Sequence, residues 1–295
     1  MHRSSAFHLK TKHMYLKSKF IVAFLITICA MVQATAQDLK VATFNVRYAN
    51  RGDSGNLWVD RAPMVAALID FHDFDVFGTQ EGLKNQIEDM KNALPAYTYY
   101  GKGRDDGQDK GEHSAVFYKK DKFTLLKSGD FWLSETPDKP SLGWDAKCCN
   151  RICSWVYLQD KKSKKKFYFF NAHFDHQGVQ ARKESSKLVL QKIKEIAGTQ
   201  PVIFTGDLNG GHESEWYKTL LDSEPLDDTY RQVKNPYAFN ATFNSFNASL
   251  RRTGIIDHIF VSKHFTAKKW GILTDTFHGK FPSDHFPVVA IVSFK

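Results

Sequence analysis

The stretch that decides the fold is Pro201-Val202-Ile203-Phe204-Thr205-Gly206-Asp207-Leu208-Asn209. A short run of apolar and β-branched residues closed by a glycine is typical of a buried strand. The strand predicted here would carry the carboxylate of Asp207 and the amide of Asn209 to the edge of a sheet, where α/β proteins often place their sites. Asp and Asn also follow strands because they favour turns, so this stretch alone does not establish a site.

The first 36 residues predict a secretory signal peptide. They contain five Lys or Arg residues and no acidic residue, and a largely apolar run from Phe20 to Val32 precedes Ala34-Thr35-Ala36. A basic segment, a short apolar core and an Ala-x-Ala cleavage site are the features of such signals. We therefore expect residues 1–36 to be removed and the protein to be exported, with residues 37–295 as one domain. Either Met1 or Met14 could start translation.

Net charge and cysteine content narrow the possible functions. The chain has a formal net charge of +9, and removal of the signal peptide would leave about +4, which is modest for a protein that grips duplex DNA. The apolar run near the N-terminus is short for a membrane span, so we expect no stable membrane insertion. Three cysteines, at 148, 149 and 153, remain in the mature chain, and their odd number prevents all of them from pairing within it. The sequence leaves their pairing open.

Apolar periodicity predicts many strands and few helices. The predicted strands are Leu39–Asn45, Asp75–Thr79, Ser114–Tyr118, Phe123–Leu133, Ile152–Leu158, Phe167–Ala172, the opening stretch, Ile255–Val261 and Val288–Phe294. The predicted helices are Asp60–Phe71, Gln86–Ala93, Ala181–Ala197 and Trp216–Leu221. Neighbouring strands with few helices between them favour an α+β fold with two packed sheets flanked by helices over a purely parallel fold.

Side chains that can perform chemistry lie at the ends of six predicted strands. They are Asn45 with Arg47, Glu81, His173, Asp207 with Asn209, Asp257, and Asp284 with His285. Each one has an ordinary structural explanation, such as a turn, a helix or loop cap, or a hydrogen-bonded core histidine. Their occurrence at six separate strand ends instead favours one shared site.

These motifs in this order resemble the endonuclease/exonuclease/phosphatase superfamily. Gly-Asp-x-Asn at 206–209 and Ser-Asp-His-x-Pro-Val at 283–288 carry the resemblance, which extends from Leu39 to Phe294. Trp-Leu-Ser-Glu-Thr-Pro at 132–137 and Gly-Trp-Asp at 143–145 are similar to a secreted bacterial branch near the deadenylase-like members. The resemblance implies a four-layer α/β sandwich, with two central mixed β-sheets flanked by helices, as the catalytic domain.

The resemblance also implies a metal-assisted reaction. A phosphate ester is anionic, so attack on it needs cations and a positioned water. Mg²⁺ prefers oxygen ligands, and the matching positions imply that Asn45, Glu81 and Asp284 hold Mg²⁺, with Mn²⁺ as an alternative ion.

The same resemblance assigns the catalytic residues. Asp207 and Asn209 would position or activate the attacking water. His285 would act as general base or phosphate ligand, held in its tautomer by Asp257, because a carboxylate behind an imidazole raises its basicity. His173 would donate to the phosphate, and Glu112 would orient His173.

Loops outside the shared motifs are expected to select the substrate. The candidate substrate-binding residues in these loops are Trp132, Trp144, Arg151, His176 and Arg182, and the resemblance adds Arg47 as a phosphate contact. The two tryptophans could stack on a base or a sugar ring, or could equally be packing residues. We expect a monomeric, exported, Mg²⁺-dependent phosphoesterase that hydrolyses a phosphodiester or a phosphomonoester. The alternatives are a nuclease acting on extracellular DNA or RNA, a sphingomyelinase-like lipid hydrolase and, least favoured, a phosphate-binding protein without activity.

Overall fold

The computed structural model describes residues 38–237, 239–249 and 253–295, and Asp38–Lys295 form a compact unit. The predicted signal peptide, residues 1–36, lies outside the described residues, so its removal stays a prediction. Among the described residues we find no helix with both the length and the apolar character needed to cross a bilayer.

Twelve strands of the described chain form two six-stranded sheets. In chain order they are β1 (Asp38–Asn45), β2 (Val76–Gln80), β3 (Tyr97–Tyr100), β4 (Val116–Lys119), β5 (Phe123–Trp132), β6 (Ile152–Asp160), β7 (Lys166–His173), β8 (Val202–Asp207), β9 (Asp227–Asp228), β10 (Asp257–Val261), β11 (Phe265–Ile272) and β12 (Val288–Phe294). The first sheet has the order β11-β12-β1-β2-β4-β3 and the second β5-β6-β7-β8-β10-β9. Both sheets are mixed, because β1 runs parallel to β2 and β7 to β8, while the other neighbours are antiparallel.

Helices cover the outer faces of the two sheets. They are α1 (Trp58–His72), α2 (Lys84–Ala93), α3 (Val179–Ala197), α4 (Glu215–Leu221) and the short α5 (Thr229–Gln232). Because strand residues alternate between faces, Val41 of β1 and Ile203 of β8 pack between the sheets, whereas Phe44 packs with α1 and Phe204 with α3. The layers are therefore helix, sheet, sheet and helix.

The two parallel strand pairs bring the predicted site residues to one end of the sandwich. Asn45 at the end of β1 is paired with Gln80 of β2. His173 at the end of β7 is paired with Asp207 of β8, and Asp257 at the start of β10 is paired with the same Asp207. Chemistry-bearing side chains from both sheets thus converge at one edge.

The structure confirms the predicted α+β sandwich and contains each predicted strand and helix, with ends shifted by a few residues. The sequence analysis missed β3, β9, β11 and α5. β3 and β9 are short and lie at the edges of their sheets. In β11 the alternation is broken between Ala267 and Lys269, where the pairing with β12 shifts register. A period-two search therefore does not detect this strand.

Candidate active site

A cavity of about 630 Å³ opens at the end of the sandwich where β1, β2, β7 and β8 finish. Ten of the residues predicted for the site line it, namely Arg47, Glu81, Glu112, Arg151, His173, His176, Asp207, Asn209, Asp284 and His285. Two more, Asn45 and Asp257, lie directly behind it and hydrogen-bond to lining residues. The structure thus gathers most of the predicted residues around one space.

Asp207 occupies the centre of this group. Nδ2 of Asn45 donates to Oδ2 of Asp207 and to Oε1 of Glu81, both at 3.0 Å, so one amide links the two sheets at the site. The backbone N–H of Asn209 donates to Oδ1 of Asp207 at 2.9 Å. Burial, together with the charge of Asp257, raises the pKa of Asp207 to about 7. A carboxyl group with this pKa can accept a proton near neutral pH.

His285 and Asp257 form a buried pair beside Asp207. Nδ1 of His285 lies 2.9 Å from Oδ2 of Asp257, and Nε2 lies 3.8 Å from Oδ2 of Asp207. Burial lowers the pKa of His285, but the charge and hydrogen bond of Asp257, together with the charges of Asp207 and Asp284, raise that pKa to about 10. His285 is therefore an imidazolium at neutral pH in the metal-free protein, which suits it to stabilise negative charge.

His173 lies on the other side of Asp207 and is neutral. Nδ2 of Asn209 donates to the carbonyl of Phe174 at 3.0 Å and faces Nε2 of His173 at 3.1 Å, so Nε2 accepts and the ring proton is on Nδ1. Burial, with the charges of nearby arginines, holds the pKa of His173 well below its ordinary value. Oε2 of Glu112 lies 3.9 Å from Nδ1, too far for a hydrogen bond, and instead accepts from Nη1 of Arg104 at 2.5 Å.

Glu81 and Asp284 form an oxygen-rich corner that fits a divalent ion. Both carboxylates are largely buried, and each lies 3.8 Å from a guanidinium nitrogen of Arg47. Burial raises the pKa of Asp284, and the charge of Glu81 raises it further, so the two carboxylates repel each other. A hard cation with oxygen ligands would relieve this repulsion. Oδ1 of Asn45 accepts the backbone N–H of Arg47, and Nδ2 donates to Glu81, so Asn45 orients Glu81 at this corner.

Three site residues have left-handed backbone conformations, which non-glycine residues adopt rarely. They are Arg47 with φ of 54°, Glu81 with φ of 64° and Asn209 with φ of 46°. Each follows the end of a central strand, where the chain must turn sharply to direct a side chain into the cavity. Strain of this kind persists only where the surroundings enforce it, and it is common at functional sites.

A buried arginine that the sequence analysis missed holds two of these loops together. Arg61 of α1 is 1% exposed and donates to the carbonyls of Val46, Arg47 and Pro282 at 2.8–3.0 Å. Burial lowers its pKa to about 10, so it remains charged at neutral pH. Since Pro282 lies two residues before Asp284, Arg61 fixes the relative position of Arg47 and Asp284 without entering the cavity.

A cationic wall faces these carboxylates. Arg104, also missed from the sequence, and Arg151 both line the cavity, and each keeps one buried nitrogen that has no hydrogen-bond partner among the described residues. Nη2 of Arg151 donates to Nδ1 of His176 at 2.7 Å, which joins these two predicted residues. Guanidinium groups that line a cavity are suited to bind a phosphate group.

A disulfide bond between sequence neighbours, Cys148 and Cys149, forms another part of the cavity wall. Cys153 is fully buried in β6 and is a free thiol. The sequence left the pairing of the three cysteines open. In the structure the two adjacent cysteines are bonded to each other, and Cys153 takes no part in the disulfide.

Three predicted substrate-binding residues do not line the cavity in the described part of the chain. Trp132 is buried, and its indole N–H donates to the carbonyl of Arg104 at 2.7 Å, so it supports that arginine from behind. The backbone N–H of Trp144 is held by Glu135 at 3.0 Å. The guanidinium of Arg182 stacks on Trp216 at 4.5 Å and donates to the carbonyl of Asp175. Tyr48, Phe243 and Ile256 line the cavity without having been predicted to bind substrate.

Solved structures similar to this chain share its whole architecture. A mannosyl-6-phosphatase from Bacteroides thetaiotaomicron is 48% identical, with a TM-score of 0.84, over 87% of this chain and 100% of that chain. An endonuclease/exonuclease/phosphatase family protein from the same organism is also 48% identical, with a TM-score of 0.85, over 88% of this chain and 98% of that chain. The catalytic domain of human nocturnin, at 20% identity and a TM-score of 0.68 over 88% of this chain and 94% of that one, is similar in fold.

The sequence pattern of a known family covers the site from its first strand to its last histidine. The pattern described as the endonuclease/exonuclease/phosphatase family matches residues 42–285, which include every residue predicted for the site. The converging strand ends and the mixed sheets are the features expected from the resemblance. The chain therefore belongs to the endonuclease/exonuclease/phosphatase family.

Proposed function

We propose that this protein is an exported, Mg²⁺-dependent hydrolase that removes phosphate from a phosphorylated sugar. The observation that carries the proposal is the meeting, in one cavity of about 630 Å³, of the Glu81–Asp284 corner and the cationic wall of Arg104 and Arg151. Ligand sites of a few hundred to about a thousand Å³ suit small molecules. The 48% identity with a mannosyl-6-phosphatase supports the same class of substrate.

In this mechanism Asp207 is the general base. Because its pKa is raised to about 7, the carboxylate can take a proton from the attacking water at neutral pH. The N–H of Asn209 holds Oδ1 and leaves the other oxygen toward the cavity histidines. A bond forms between the water oxygen and phosphorus, the bond from phosphorus to the sugar oxygen breaks, and that oxygen leaves with a proton from solvent.

Charged side chains stabilise the phosphate as the reaction proceeds. His285 donates through Nε2 as an imidazolium, and the guanidinium groups of Arg104 and Arg151 add positive charge to the cavity wall. Glu81 and Asp284 would hold Mg²⁺, with Asn45 directing Glu81. When bound there, Mg²⁺ neutralises phosphate charge and polarises a phosphoryl oxygen.

The adjacent disulfide is suited to contact the part of the substrate that carries the phosphate. Two bonded sulfur atoms present a polarizable, weakly polar surface, and Cys148 is exposed where it borders the cavity. Such a surface fits the apolar face of a sugar ring. Export would preserve the disulfide, because extracellular conditions are oxidising.

The proposal is tested by assaying the purified protein with Mg²⁺ on a panel of esters. The panel contains mannose 6-phosphate, glucose 6-phosphate, p-nitrophenyl phosphate, bis-p-nitrophenyl phosphate, DNA, RNA and sphingomyelin. We expect phosphate release from the monoesters, fastest from a sugar phosphate, and loss of that release in EDTA. Cleavage of DNA, RNA or sphingomyelin without release from any monoester would replace the proposal by the corresponding alternative. Mass spectrometry of the secreted protein, with an expected N-terminus near Gln37, tests export.

A further inference from the structure

A second cluster of ligating side chains lies on the outer face of the second sheet. His258 follows Asp257 in β10, and successive strand residues point to opposite faces, so His258 points away from the cavity. It meets Asp228, at the end of β9, and His212, in the loop after Asn209. None of these three residues is among those that line the catalytic cavity.

Two histidine nitrogens in this cluster approach one carboxylate oxygen. Oδ2 of Asp228 lies 3.4 Å from Nδ1 of His258 and 3.9 Å from Nε2 of His212, and the three atoms lie within 4.8 Å of one another. Nε2 of His212 is buried and has no hydrogen-bond partner among the described residues. Ligand atoms about 2.0–2.1 Å from a tetrahedral Zn²⁺ would be roughly 3.4 Å apart, so small movements of His212 would close the site.

The second ring nitrogen of His258 limits what Nδ1 can do. Nε2 lies 3.0 Å from the carbonyl oxygen of Gly210, which can only accept, so Nε2 carries a proton. Nδ1 is then the ring nitrogen that faces the Asp228 carboxylate, 3.4 Å from its Oδ2, and it is the nitrogen that would bind an ion held between the two side chains. Histidines that bind a metal through one ring nitrogen usually donate the N–H of the other ring nitrogen to a backbone carbonyl or a carboxylate.

The surroundings of the cluster hold it in place. The hydroxyl of Tyr217 donates to Oδ2 of Asp228 at 2.9 Å, and the N–H of Tyr230 donates to Oδ1 at 2.9 Å. The rings of both tyrosines lie within 5 Å of the His212 ring. Part of His212 remains exposed, with 30% of its side chain accessible, which leaves an entry path for an ion.

We propose that His212, Asp228 and His258 bind a transition-metal ion of the Zn²⁺ class, at a site separate from the catalytic cavity. Two imidazoles and one carboxylate suit Zn²⁺, Co²⁺ or Ni²⁺, whereas Mg²⁺ prefers oxygen ligands alone. The bound ion would tie the loop of residues 210–212 to β9 and β10. That loop follows Asn209 directly, so the ion would stabilise the backbone that presents Asn209 to the cavity.

The test is a Zn²⁺ titration of the EDTA-treated protein, measured by calorimetry in excess Mg²⁺. We expect the wild type to bind one more equivalent of Zn²⁺ than His212→Ala, or to bind that equivalent at least about 10- to 100-fold more tightly, the range seen when even a supporting group of a metal ligand is lost. His212 is partly exposed, so its replacement should leave the fold intact, as circular dichroism can verify. Loading with Co²⁺ should give visible absorption bands in the wild type that are absent in His212→Ala.

Two further variants make the result specific to this cluster. His278→Ala, which removes an exposed histidine elsewhere, should retain the Zn²⁺ equivalent and the Co²⁺ bands. Glu81→Gln, which changes the catalytic corner, should retain both as well. Equal Zn²⁺ stoichiometry and affinity in the wild type and His212→Ala would overturn the proposal.

Discussion

Replacing Asp257 with asparagine tests how the site sets the charge of His285. Asp257 is 1% exposed, and its Oδ2 lies 2.9 Å from Nδ1 of His285. Its charge and hydrogen bond raise the pKa of His285 to about 10 against the effect of burial. Asparagine keeps the shape of the side chain and removes the charge, so we expect the pKa of His285 to fall toward the ordinary histidine value of about 6.5.

The size of the effect follows from the fraction of His285 that keeps its proton. With a pKa of about 6.5, the protonated fraction is about 3% at pH 8 and about 90% at pH 5.5, whereas a pKa of about 10 leaves it nearly complete at both. The ratio of kcat/KM between Asp257→Asn and the wild type should therefore rise at least about 30-fold as the pH falls from 8 to 5.5, because loss of the Asp257 charge also lowers the pKa of Asp207. Steady-state phosphate release across this pH range measures the ratio.

A matched variant separates this effect from a general loss of stability. Asp130→Asn changes another largely enclosed aspartate of the second sheet, one that accepts from Tyr100 and Ser154 and lies outside the cavity. Its activity relative to the wild type should not depend on pH. A ratio for Asp257→Asn that is constant with pH, in protein shown to be folded by circular dichroism, would refute the assignment of His285 as an imidazolium.

Three further predictions address the metal corner, the buried arginine and the disulfide. Glu81→Gln should lose most turnover, while its melting temperature in EDTA stays within a few degrees of the wild type; undiminished turnover at low Mg²⁺ would contradict the metal assignment. Arg61→Met leaves the carbonyls of Val46 and Pro282 without their donor, while the carbonyl of Arg47 keeps a hydrogen bond from Gln86. Since an unsatisfied buried group costs about 1–3 kcal/mol, urea unfolding should show a loss of at least about 2 kcal/mol; an unchanged midpoint would disprove this role. Opening the disulfide with Cys148→Ser should raise KM for mannose 6-phosphate while leaving KM for p-nitrophenyl phosphate unchanged; an equal change for both substrates would remove the disulfide from sugar recognition.

The predicted site residues that the structure brings to the cavity are those whose position is fixed by local sequence. Asp207 and Asn209 follow a strand whose apolar run is continuous, so their place at the sheet edge depends on few neighbours. His173 and Glu81 follow equally buried strands. When two parallel strand pairs lie side by side, the ends of all four strands lie at the same edge. The sequence pattern is therefore sufficient to predict that the side chains at these ends lie close together.

The residues that were missed depend on contacts between distant segments. Arg104 enters the cavity through a loop that Trp132 supports from a different strand, and nothing in the sequence around Arg104 indicates that contact. Arg61 lies on a helix, where an arginine is ordinarily solvated, and three of its four carbonyl partners come from segments 14 to 221 residues away. Trp144 and Arg182 were predicted from their residue type, and residue type alone does not determine which way a side chain points.

The most direct test of the account is phosphate release from mannose 6-phosphate, compared between the wild type and Asp207→Asn near neutral pH with Mg²⁺. The proposed mechanism predicts phosphate release by the wild type, and EDTA should abolish that release. It also predicts a loss of about 10²- to 10⁴-fold in Asp207→Asn, the usual contribution of a general base, with the fold intact. A wild-type protein that releases no phosphate, or an Asp207→Asn protein that releases it at the wild-type rate, would contradict the central claim.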